Sequence, residues 1–266
     1  MRPKGAPLVR SELYGEEEPP LDDPAELFHE ASKLHPALMH RQGAGLVRLG
    51  ASAELQAMAV HAARPNPQLR ARPLPSPRRT PCSLWAALDR RASERDFPGT
   101  TLDPARLATL LDAGYGRRRN GRRTVPSGGA LYPLEVLVAA RSVTGLPPGL
   151  HRYDPHRHAL EEHALGDPWP ELERACPLPG LLTGGACALL VLAVFGRTRF
   201  KYGVRGYRFA LLEAGHVAQN IVLAAAALGV PALPWGGYYD AQVDALVDVD
   251  GVEESVVYGV VVGGHE

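Results

Sequence analysis

Cysteine is scarce in this chain: Cys82, Cys176 and Cys187 are the only three in 266 residues. An odd number at wide spacing fits neither a disulfide framework nor a paired-cysteine zinc site, so a reducing cytoplasm is the expected setting. Net charge is missing as well. The formal charge is +0 with a pI near 7.2, which removes the whole-molecule positive field that nonspecific nucleic-acid binding needs. The most basic stretch, Arg117 to Arg123, has no aromatics interleaved with its arginines, so it lacks the stacking platform of a single-strand binder. The apolar run from Ala186 to Phe195 is too short to cross a bilayer and reads as a buried strand. The N-terminus is rich in Pro and acidic residues and carries no apolar run, so no signal peptide is expected. Metal spacing is absent too. His151, His156, His158 and His163 straddle a predicted hairpin turn without paired Cys or carboxylates, and no metal site is expected.

What the chain does have is ordinary globular composition, 45% hydrophobic and 22% charged, at a length suited to one large domain or two small ones. Residues 64–81, RPNPQLRARPLPSPRRTP, alternate Pro and Arg and read as an extended connector. Before it, Asp23, Pro24 and Glu26 form a helix start leading into AELFHEASKL, with Leu27, Ala31 and Leu34 as its apolar stripe. A second helix is expected after Ser52. Residues 1–80 thus read as a helical extension, and residues 82–266 as the main domain.

In the main domain, Ser83 caps a predicted helix through Arg91, and Asp103 with Pro104 starts another that stops at Gly114 or Gly116. Leu107, Leu110 and Leu111 make the buried face of the second. Leu134 to Ala140, Ala186 to Phe195 and Ser255 to Val262 read as buried strands, and Tyr153 to His156 as a hairpin. Leu211, Gly215, Ala218, Val222 and Ala226 recur at helical spacing between Tyr207 and Leu228, with Gly229 and Pro231 as stops. Ala and Leu on both faces predict a helix buried nearly all round, as a central or dimer-forming helix would be. Helices mixed with separated strands indicate an α+β sheet domain.

Four segments carry candidate chemistry. Arg91, Ser93 and Arg95 in DRRASERDF place two guanidinium forks and a hydroxyl at a helix end, a phosphate-sized site, although a solvated basic helix end presents the same residues. In PSGGALYP, Pro126 to Pro133, paired glycines let backbone amides approach a flat ligand; a purely geometric turn is the alternative. LPWGGYYD repeats that pattern at Gly236 and Gly237. Lys201 and Tyr202 are adjacent, and a phenol serves as a base when a neighbouring positive charge, such as an ammonium, favours its phenolate. Neighbours on a regular helix do not face each other, so the pair is expected in a loop or turn, or else acting on different atoms. A lone His216 on a buried helix reads either as a core residue or as an orienting group. Arg117 to Arg123 fits a solvated loop or a contact for an acidic peptide leader.

Taken in order, DRRASERDF, PSGGALYP, RFKYGVRGYRF, LLEAGHVAQN and PWGGYYD resemble the SagB-type azoline dehydrogenases, a branch of the nitroreductase-like flavoproteins. The resemblance runs from about residue 83 to the C-terminus, and FHEASK at Phe28 to Lys33 matches the family's N-terminal signature. It implies a nitroreductase-like α+β fold with a central, mostly antiparallel sheet flanked by helices, and a homodimer with a long buried helix. It also implies FMN. Arg91, Ser93 and Arg95 would then meet the phosphate, Pro126, Ser127 and Gly128 the ribityl chain and ring, and Gly236 and Gly237 the ring edge. Lys201 and Tyr202 match the family's catalytic pair. Many nitroreductases supply further basic phosphate ligands from a C-terminal tail, whereas this chain ends at VGGHE; either Arg205 substitutes or the phosphate depends mainly on the N-terminal arginines.

The activity implied is oxidation of peptide thiazolines or oxazolines to azoles with oxygen as acceptor, with a cyclodehydratase complex as a candidate partner and neither nucleic acid nor membrane. No GxGxxG opens a βαβ unit, in keeping with an oxidase that does not use nicotinamide, although flavin reductases of this superfamily lack that fingerprint too. The rivals are a reductase of the same fold, a thiazoline oxidase acting on carrier-protein-bound intermediates, and a non-catalytic peptide-binding scaffold.

Overall fold

The computed structural model describes residues 23–36, 45, 51–53, 68–78, 80–99 and 101–264. The first elements are α1 (Pro24–Ala31), β1 (Ala71–Pro73), α2 (Leu84–Arg90) and α3 (Pro104–Tyr115). Next come β2 (Leu134–Ala140), β3 (Gly149–Asp154), β4 (Ala159–Leu165) and α4 (Trp169–Ala175). The chain continues through β5 (Gly185–Val194), α5 (Gly196–Tyr202) and α6 (Val204–Leu228), then β6 (Ala232–Trp235), α7 (Asp240–Leu246) and β7 (Glu254–Gly263). The seven strands join into one sheet in the order β1-β4-β3-β2-β5-β7-β6, with every neighbouring pair antiparallel. This is the α+β class expected from the sequence, with the antiparallel sheet that the family resemblance implies.

Helices cover both faces of the sheet, which explains why β5 is buried at all ten positions and does not alternate in polarity. In β2 the pleat sorts the side chains: Val136, Val138 and Ala140 join the core under α3 and α6, and Leu137 and Ala139 join the one under α4 and α7. α3 and α6 pack closely, since a Cβ at Gly114 would stand 2.7 Å from Ile221 Cγ1.

The helix starts lie where their caps put them. The Asp23 carboxylate accepts from Ala25 N–H at 2.8 Å, the Ser83 hydroxyl oxygen from Ala86 N–H at 3.1 Å, and the Asp103 carboxylate from Ala105 N–H at 2.6 Å. Leu107, Leu110 and Leu111 are buried as expected, and α3 ends at Gly116.

Several expectations need correction. Leu27 in α1 and Leu34 just after it are more than half exposed. The docking face is instead Phe28, edge-on to Tyr207 at 5.5 Å, with the buried Ser32. The reason is polar: Arg205 donates to the Ser32 carbonyl at 3.0 Å and Arg208 to the His29 carbonyl at 3.2 Å, and these bonds rotate the helix. The stretch read as a connector contributes β1, an edge strand paired with β4, where a proline at the free edge is tolerated. The helix expected after Ser52 lies outside the described residues. β6, α4 and α7 span four and seven residues, too short for periodicity to reveal.

The long helix is α6, and it is not buried all round within one chain. Ala210, Glu213, Ala214, Val217, Ala218 and Ile221 face inward, while Leu211, Leu212, Gly215 and His216 are exposed, because the sheet covers only one side of it. By length and a hydropathy of 1.4, α6 could cross a membrane; its inward face packs here on α3 and the sheet. No disulfide joins the three cysteines.

Candidate active site

The Pro126–Pro133 loop enters β2, whose first residue, Leu134, pairs with Ala193 near the end of β5. α5 leaves β5 two residues later, so loop and helix meet at one end of the sheet. Gly129 has φ +65°, and a Cβ built there would lie 2.5 Å from Tyr202 Oη and 2.6 Å from Lys201 Nζ. Phenol and ammonium therefore close over the same backbone. A Cβ at Gly128 would meet the Phe209 ring at 3.1 Å, and that ring stands edge-on to Tyr202 at 5.0 Å. The two adjacent residues occupy the last turn of α5 rather than a loop, and they do not point apart. Lys201 bends so that Nζ lies 5.1 Å from the Tyr202 ring centre, because its four-carbon stem reaches across the angle that separates helix neighbours.

α5 is firmly held. The Thr198 hydroxyl donates to the Gly206 carbonyl at 2.9 Å, Phe195 stacks on Tyr207 at 4.2 Å, and Arg197 pairs with Glu135 of β2. Gly206 is required at the α5–α6 corner, since a Cβ there would lie 2.7 Å from the Thr198 backbone.

A second cluster forms where α2 ends. Glu94 N–H donates to the Ala232 carbonyl at 3.0 Å, so the Arg91–Arg95 segment meets the start of β6 at the edge of the sheet, while Gly236 and Gly237 follow the end of that strand. Ser93 and Arg95 are exposed and Arg91 half-buried, and neither guanidinium has a partner among the described residues. Trp235 Nε1 donates to the Gly237 carbonyl at 3.0 Å and fixes the turn, leaving both glycines exposed. Beside the segment, Arg90, Ala92, Glu94, Val222 and Ala226 line an open cleft of about 330 Å³. Arginines without a partner among the described residues, at the edge of an open cleft, fit a ligand that carries a phosphate.

The two clusters stand at opposite ends of α6. Phe209 lies in its first turns and Ala226 in its last, and at about 1.5 Å per residue these are about 25 Å apart. One chain unites Pro126, Ser127, Gly128 and Gly129 with Lys201 and Tyr202, while Arg91, Ser93 and Arg95 lie by the start of β6 and Gly236 and Gly237 follow its end. It does not unite the two sets. Arg205, expected to assist at the phosphate, lies at the Tyr202 end of α6, 5.6 Å from the Phe209 ring and bonded to the Ser32 carbonyl.

Sequence reading missed a buried set beneath the loop. Tyr115 donates its phenol to Glu213 Oε1 at 2.7 Å, and Arg123 lies over the rings of Tyr115 and Tyr132 at 4.1 and 5.0 Å. A carboxylate in the apolar inward face of α6 was the available signal. Arg117 to Arg123 forms a small hairpin in which Arg118 pairs with Asp112 and Arg117, Arg119 and Arg122 are exposed. His216 is exposed rather than a core residue. Among the described residues no cluster of His, Cys, Asp and Glu could hold a metal.

The Nitroreductase family signature matches residues 88–264. A nitroreductase-named protein of Methanocaldococcus jannaschii is 34% identical over 167 residues, covering 62% of this chain and 84% of that one. The microcin B17-processing protein McbC of Escherichia coli is 36% identical over 141 residues, a match that spans 48% of this chain and about half, 49%, of McbC. The solved E. coli microcin synthetase McbBCD complex, with truncated pro-MccB17 bound, aligns with 97% of this chain and 97% of the matched chain at TM-score 0.58 and 25% identity.

Proposed function

The chain belongs to the nitroreductase family of flavin oxidoreductases, and from that premise we propose that it is an FMN-dependent dehydrogenase oxidising azoline rings in a peptide. The observation that carries this reading is the convergence of Lys201 Nζ and Tyr202 Oη over Gly129. A phenol beside an ammonium is suited to removing the proton at the azoline Cα. When bound, FMN supplies the acceptor for the hydride from Cβ. Arg91, Ser93 and Arg95 would hold its phosphate, Gly236 and Gly237 its ring edge, and Pro126, Ser127 and Gly128 the ribityl chain and ring. The likeness to McbC and to the peptide-bound synthetase supports a peptide substrate and a cyclodehydratase complex as partner.

The test is anaerobic. The purified protein should be yellow and release FMN on denaturation, and an azoline peptide should bleach the flavin absorbance. The second reading, a nicotinamide-dependent reductase, is favoured by the name of the M. jannaschii relative. Bleaching by reduced nicotinamide and never by an azoline would establish it instead.

We also infer that the working form is a homodimer in which each site takes residues from both copies. Clusters about 25 Å apart are too far for one flavin mononucleotide to bridge. Pairing the α6 helices across a two-fold axis sets the Tyr202 end of one against the Arg91 end of the other. The exposed face suits such pairing. Gly215, midway along α6, has open space where a Cβ would stand, and Leu211, Leu212 and Trp85 are exposed, Trp85 by 74%. Subunit mixing tests this. Neither Arg91→Ala/Arg95→Ala nor Tyr202→Phe should turn over alone, whereas co-refolded hybrids retain one intact site, restoring ~25% of wild-type activity in an equal mixture. No recovery, or an active monomer by light scattering, would place the whole site in one chain.

A further inference from the structure

Glu213 lies beneath the Pro126–Pro133 loop with 2% exposure. The groups facing its carboxyl come from each element packed there: Tyr115 from α3, Arg123 from the hairpin and Ser127 from the loop. The Tyr115 phenol donates to Oε1, and its oxygen accepts from Leu134 N–H at 3.2 Å. The Ser127 hydroxyl oxygen accepts from Tyr132 N–H at 2.9 Å. Glu213 Oε2 is fully buried without a hydrogen bond of ordinary geometry, although the Ser127 hydroxyl is near enough to favour the charged form. Burial outweighs this and the contributions of Tyr115 and Arg123, and pushes the carboxyl up to about 7. Burial and the Glu213 charge also hold the Tyr115 phenol well above its ordinary range, so it stays a neutral donor.

Resting on the flavin reading, we propose that Glu213 is a positioning residue: its protonation state decides whether Ser127 offers the flavin a proton or a lone pair. A serine hydroxyl has one proton and two lone pairs, and Tyr132 N–H takes one lone pair here. With Glu213 charged, the hydroxyl proton turns to Oε2 and a lone pair is left for the ligand. With Glu213 protonated at Oε2, the acid donates to Ser127 Oγ, both lone pairs are used, and the hydroxyl proton turns outward. Oε1 is taken by the Tyr115 phenol, which leaves Oε2 as the oxygen free to make this exchange. Ser127 is only half-buried, so its hydroxyl borders both the carboxyl and the open side of the loop.

The visible absorbance of protein-bound FMN, followed between about pH 5.5 and about 8.5, tests the switch. Wild type should show a band shift with one inflection near the carboxyl's value of about 7. Glu213→Gln, which cannot ionise, and Ser127→Ala, which lacks the hydroxyl, should both lose it. The FMN phosphate titrates near pH 6, but it is remote from the ring and does so in all three proteins alike. A yellow wild type with no inflection, or one that persists in either variant, overturns the switch while leaving the flavin reading intact. A wild type that cannot be loaded with FMN overturns both.

Discussion

Tyr202→Phe and Lys201→Ala are each expected to slow anaerobic flavin bleaching by an azoline peptide by about 100 to 10,000-fold, the usual contribution of a general base. Loss of hydride from Cβ is unfavourable unless the Cα proton leaves with it, so removing the base should act on that step. Tyr202→Phe keeps the ring edge-on to Phe209 and deletes only the hydroxyl above Gly129. Lys201→Ala deletes the ammonium beside it. Both side chains are only half-buried, so the variants should remain folded and yellow. Because the two polar atoms close over one backbone position, their losses should not add in the double variant. Gly129→Ala should resemble them, since its methyl would enter the space of both atoms at a backbone angle of φ +65°. Near-normal bleaching by Tyr202→Phe and Lys201→Ala would move the base elsewhere.

Arg91→Ala/Arg95→Ala is expected to weaken FMN binding by at least 100-fold. Charge-assisted hydrogen bonds contribute about 1.5 to 3 kcal/mol each, and about 1.4 kcal/mol corresponds to tenfold in affinity. Neither guanidinium has a protein partner among the described residues, so truncation leaves no uncompensated carboxylate. Thermal stability of the flavin-free protein should therefore move little. Riboflavin provides the control because it has the ring without the phosphate: its affinity should be nearly unchanged. A parallel fall for riboflavin and FMN would show that the arginines shape the fold rather than bind phosphate. Unchanged FMN affinity would move the phosphate elsewhere, with Arg205 of the second copy as the next residue to replace.

Local signals explain most of what was legible in advance. Asp23, Ser83 and Asp103 begin their helices because a cap needs only the backbone a few residues ahead. Leu134–Ala140 is a strand at the expected bounds, and β5 and β7 differ from expectation by a residue or so, since apolar β-rich runs between turn residues need little context. The glycine loops and the Lys-Tyr pair were likewise visible as chemistry. What could not be read was direction. Only the last turn of α5, with Lys201 folded over its neighbour, brings ammonium and phenol together, and rules for helix neighbours argued the other way. Phe28 and Ser32, rather than Leu27 and Leu34, face the body because Arg205 and Arg208 bond to the carbonyls of Ser32 and His29 from 173 and 179 residues downstream.

By itself, then, the sequence determined the elements with caps, the α+β class, and which residue types could meet a flavin, because these depend on neighbours along the chain. Tertiary structure decided the rest: the pleat and helix packing divided the candidate residues between two ends of α6, and burial under the glycine loop made a proton-holding group of Glu213. The physical reason is common to both. Distances between side chains from remote segments, and the dielectric around them, exist only once the sheet and its helices have closed.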